Sequence, residues 1–190
     1  MNSECSHRPR SDPKSSPVSN FLADNHSGPC PRCSTGEMDS IDKQRLVRNA
    51  LIELGMKAVL SRGNTTTRTE IVAFDEASEN LYVVRTNWGE LNPEDVRRLA
   101  FDDLPSIAPI AAHDGLDVRK IIPLMILEND PGRNEGAAIQ LCKGLESWPV
   151  NNHCILWMRL DELLNMVKEG MDWKDLDLST MKLSALSTSD

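Results

Sequence analysis

Aromatic residues are scarce in this chain: three Phe, four Trp and one Tyr, 4% of 190 residues. A core therefore has to be built from Leu, Ile, Val, Met and Ala. No apolar run approaches the ~20 residues that span a bilayer. The first 36 residues lack the apolar stretch of a secretory signal, which predicts a cytoplasmic protein. The five cysteines are an odd number and fit reduced thiols better than a disulfide framework. Cations are outnumbered, 21 Lys and Arg against 29 Asp and Glu, for a net charge of −8. That weighs against a generic nucleic-acid coat, since phosphate binding is driven by Lys and Arg. Gly132, Gly136 and Gly144 do not have the spacing of a phosphate-binding loop.

What is present suits one soluble domain with tails: 39% hydrophobic and 26% charged residues. Residues 1–38 are rich in Ser, Pro, Asn and Gly and are expected to be a disordered tail. Asp39-Ser40 caps a helix carrying Leu46, Val47, Ala50, Leu51 and Leu54, stopped by Gly55. Met56 to Leu60 reads as a short strand. Strands at 67–74 and 80–86 form a hairpin around Asp75 to Glu79. Asn92-Pro93-Glu94-Asp95 opens a helix that is expected to end near Phe101, with Pro105 and Pro109 breaking the chain beyond it. Val118 to Leu127 reads as a central strand buried on both faces. A helix over 135–147, a strand over 153–158 and a helix over 160–169 complete a domain spanning 39–170. An acidic tail, 171–190, comes last, and Trp173 packs back from it. Helices alternating with strands predict an α/β fold, a mixed central β-sheet flanked by helices.

The string Arg68-Thr-Glu70-Ile-Val-Ala-Phe-Asp75 and the later Leu81-Tyr-Val83-Val-Arg85-Thr86, together with that order, resemble the PD-(D/E)XK, or restriction-endonuclease-like, nuclease superfamily. The resemblance covers roughly residues 41–165. It implies an acid on the second strand and an acid-x-Lys on the third, holding one or two Mg²⁺ ions through oxygen ligands. Glu70 matches the first acid and Arg85 the Lys, while Val83 stands where the second acid belongs. Valine cannot bind a metal, and an always-charged Arg is a poor proton carrier though it can clamp a phosphate. The implied function is a nuclease-fold domain with a degraded metal site, binding nucleic acid or serving as an accessory subunit in DNA processing or defence. Arg62 and Arg68 are the candidate phosphate contacts, joined by Arg97 and Arg98, and Trp88 could stack on a base. A carboxylate relocated to Asp42, Glu53 or Glu90 would instead give an active Mg²⁺-dependent nuclease. The acidic balance also fits a non-enzymatic protein-interaction module. On the simplest reading, Glu70 and Arg85 form an exposed cross-strand ion pair, and Trp88 closes the end of the sheet.

Cys30-Pro-Arg-Cys33 is a CxxC knuckle of the kind that wraps zinc. Cys5, His7 and His26 are candidates for the remaining two ligands. His113-Asp114-Gly115 reads as a turn. Cys142, His153 and Cys154 read as core residues.

Overall fold

A computed structural model describes residues 30–31, 38–61, 71–131 and 155–178. The tail up to residue 29, the expected helix over 135–147, the first residues of the strand at 67–74 and the end of the chain lie outside the described residues.

The described chain runs α1 (Ser40–Glu53), β1 (Lys57–Leu60), β2 (Ile71–Asp75), β3 (Asn80–Asn87), α2 (Pro93–Arg98), a π-helical segment (Leu99–Asp103), α3 (Leu104–His113), β4 (Ile121–Leu127), β5 (Leu156–Arg159) and α4 (Leu160–Glu169). The five strands form one sheet in sequence order. β1, β2 and β3 pair antiparallel. β3, β4 and β5 pair parallel. This is the mixed α/β sheet expected from the alternation of elements.

Each face of the sheet is covered. Leu81, Val83, Ile121 and Met125 pack with Val96, Leu99, Leu104, Ile107 and Ala111 from the helical segment between β3 and β4. On the other face Tyr82, Val84, Leu124 and Ile126 pack with α1 and α4. Residue alternation along β3 decides which side chain meets which layer. α1 forms where the sequence places it: the Asp39 carboxylate accepts from the Asp42 N–H at 2.7 Å, and Leu46, Val47, Ala50 and Leu51 are all buried. Gly55 ends it at φ +96°, and a Cβ there would sit 3.1 Å from Asp172 Oδ1.

Two expectations are corrected. The helix begun at Asn92 does not end near Phe101; it continues to His113. Pro105 has no N–H to give the Phe101 carbonyl, and its ring needs room there. The chain widens one turn instead of stopping, and the Leu104 N–H bonds back to the Leu99 carbonyl, five residues earlier. Second, the central strand starts at Ile121, because Asp117 caps a short 3₁₀ turn at Val118–Lys120. β5 pairing begins at Leu124, so Pro123 sits where β4 has β3 alone beside it. That is where a missing ladder donor costs least.

Trp173, in a 3₁₀ turn after α4, packs back as expected. Its indole meets Tyr82 edge-on, with ring centroids 5.3 Å apart. Burial pushes the Tyr82 phenol up from its ordinary value. A raised phenol contributes stability that is full below about pH 10 and is lost above it, because the unfolded chain releases its proton first. Tyr82→Phe is expected to flatten that alkaline loss, read as thermal melts from about pH 8 to about pH 11. An equal loss in both proteins would assign the alkaline sensitivity to other groups.

Candidate functional site

β3 carries the matched positions, and its alternation sends Leu81, Val83, Arg85 and Asn87 towards the helix between β3 and β4. Val83 is fully buried in that core. One pleat further, Arg85 is 3% exposed, and its Nη1 stands 3.5 Å from Oδ2 of Asp103, itself 1% exposed. Asn87 comes next on the same face and donates from Nδ2 to Asp95 Oδ2 at 3.0 Å. A polar layer of two side chains from the strand and two from the helix thus lies at the C-terminal end of β3. Asp103 closes the π-helical segment, so the widened turn is the part of the helix that faces Arg85.

Arg85 is therefore held in the interior, against a helix carboxylate, rather than on an exposed sheet face as the simple cross-strand pair supposed. Glu70 lies outside the described residues, as do Arg62 and Arg68. The described β2–β3 register ends with Ile71 opposite Val84.

Trp88 leaves β3 half-buried and packs on the α1–α4 side of the core. Lys43 Nζ lies 5.2 Å from its ring centroid, and the same ammonium pairs with Glu128 at 2.6 Å. The indole is partly covered by that cation. The three candidate relocated carboxylates, any one of which could stand in for the missing acid, all lie among the described residues. Asp42 is tied to Arg45 at 3.0 Å near the start of α1. Glu53 ends the same helix, about 16 Å away at ~1.5 Å per residue. Glu90 is exposed in the loop after Trp88. Arg97 and Arg98 both turn onto Glu94. The Arg97 hydrogen bond holds the exposed Glu94 carboxyl down to about 2.

Among the described residues no group of His, Cys, Asp and Glu is placed to hold a metal ion. Cys30 is half-buried; Cys33, Cys5, His7 and His26 lie outside the described residues. His113 and Asp114 form the turn expected of them, 3.3 Å apart at the end of α3. No described helix is long and apolar enough to cross a membrane.

Asp103 is the site residue that sequence reasoning missed. Its signal is a carboxylate on an apolar helical face, four residues after Leu99 and four before Ile107. An acid at such a position needs a buried cation opposite it, and Arg85 on the neighbouring strand is that cation.

No family model, curated protein or solved structure matches this chain.

Proposed function

We propose that this chain is a restriction-endonuclease-like domain without a working metal site, acting as a non-hydrolytic accessory subunit in DNA processing or defence. The observation that carries this reading is the state of the two matched positions on β3. Val83 is core, and Arg85 is engaged with Asp103 in the interior. A Mg²⁺ ion needs several oxygen ligands around an open position. β3 offers a valine methyl and a guanidinium instead. The order of helix, antiparallel three-strand meander, helix and parallel strand supports the resemblance at the level of topology.

A cleavage assay on single- and double-stranded DNA and RNA, with Mg²⁺ or Mn²⁺, tests the proposal beside Glu70→Ala. Neither protein is expected to cut. Cleavage that disappears in Glu70→Ala would replace this reading with an active nuclease.

A specific observation favours a second reading, a protein-interaction module without nucleic acid. Exposed or half-buried cations among the described residues face carboxylates: Arg97 and Arg98 meet Glu94, Lys43 meets Glu128, and Arg159 meets Asp161 and Asp130. Cations so paired release few counterions on meeting a phosphate backbone. Phosphate contacts would make DNA affinity fall steeply with salt, and no binding at low salt selects the protein module.

A further inference from the structure

Two polar atoms in the layer at the end of β3 have no hydrogen-bond partner among the described residues. They are Nε of Arg85 and Oδ1 of Asn87, in side chains that are 3% and 6% exposed. Buried polar groups are ordinarily satisfied by protein or by ordered water, and an unmet donor costs more on a charged group than on a neutral one. The two atoms complement each other, since Nε–H only donates and Oδ1 only accepts. The amide orientation is fixed from its other end. Nδ2 of Asn87 donates to Asp95 Oδ2 at 3.0 Å, and a flip would set oxygen against carboxylate.

Arg85 and Asn87 are two residues apart on β3, so their side chains leave one face ~7 Å apart at ~3.4 Å per residue. That spacing is wider than one hydrogen bond of ~2.9 Å and suits a small molecule bonded to both, which spans up to ~5.8 Å. The charges decide what that molecule is. An anion would meet Asn87 Oδ1 and the carboxylates of Asp95 and Asp103, and a cation would meet the guanidinium. An apolar group would leave both atoms unmet. What remains is small and neutral, accepts on one side and donates on the other.

We infer that one buried water molecule is bound between Arg85 and Asn87, accepting from Nε and donating to Oδ1. A polar, enclosed position with partners of both kinds is where water becomes part of a fold. The water completes a chain of contacts from Asp103 through Arg85 and Asn87 to Asp95. Asp95 lies in α2 and Asp103 ends the π-helical segment, so the chain clasps β3 to the helix at two separate points.

Magnetisation transfer from water to the Arg85 Nε–H, in the isotope-labelled full chain, tests this. Asn87, Asp95 and Asp103 have no rapidly exchanging proton at neutral pH that could relay the signal. A rotating-frame Overhauser peak, opposite in sign to chemical exchange, is expected at Nε–H. It is expected to vanish in Asn87→Leu, whose melting curve establishes that it is folded. A crystallographic map of the unaltered full chain is a second reading that needs no variant. It should show a density peak at hydrogen-bond distance from both Nε and Oδ1. Absence of the Overhauser peak in the unaltered chain, or its survival in folded Asn87→Leu, overturns the inference. So does a map in which Nε bonds directly to Oδ1 or to another residue.

Discussion

Asp103→Leu is expected to cost about 3–5 kcal/mol of folding stability, far more than a surface substitution, because it leaves a guanidinium buried without its ion-pair partner. Arg85 is enclosed by β3 and the widened turn, and the 3.5 Å contact with Asp103 is its ion pair among the described residues. Arg85→Met should cost a similar amount for the opposite reason, a carboxylate left behind in the core. The double variant Arg85→Met/Asp103→Leu should recover most of the loss. An apolar pair of similar size removes both desolvation penalties at once, and such replacements are often neutral or stabilising by ~1–4 kcal/mol. Urea unfolding of the four proteins measures this as a double-mutant cycle. Two single losses under ~1 kcal/mol that simply add would show that the pair is not what fixes Arg85. The same series separates structure from function. If the pair only seals a degenerate site, the double variant folds and still does not cleave.

How the sequence encodes this region shows where one-dimensional reading succeeds. α1 and α4 are legible because an apolar period ends at a glycine in each, Gly55 and Gly170, and α1 also has its Asp39 cap. The hairpin is legible because two apolar runs flank a polar turn, and the observed pairing ends with Asp75 opposite Asn80. The full helix from Pro93 to His113 is not, because the local cost of proline points to a break. The remedy, a single wide turn, depends on how the helix packs against the sheet, which sequence does not display. The same turn carries Asp103, so an error in local structure conceals the tertiary partner of Arg85. Glu70 and Arg85 can be matched to a motif by spacing. Spacing alone cannot tell that Arg85 faces a helix carboxylate.

Trp173→Ala should be the most damaging single truncation on the opposite face, at about 3–5 kcal/mol for a large buried aromatic. The indole is 2% exposed and lies in the layer formed by α1, α4 and the sheet. Its backbone N–H donates to the Leu54 carbonyl at 2.8 Å, at the end of α1. One residue therefore ties the segment after α4 both to α1 and to Tyr82 in the centre of β3. Leu176 and Leu178 extend the same contact. Ending the chain at Gly170 removes all of these groups and should cost at least as much as Trp173→Ala. The effect is read as a lower urea midpoint with an unchanged slope if folding remains two-state. A loss below ~1 kcal/mol in both variants would mean that the acidic tail beyond α4 is dispensable to the fold. Because Tyr82 neighbours Val83 on β3 but faces the other layer, neither variant should alter the Arg85–Asp103 coupling energy. Additivity of Trp173→Ala with Asp103→Leu would establish that the two faces of the sheet are stabilised independently.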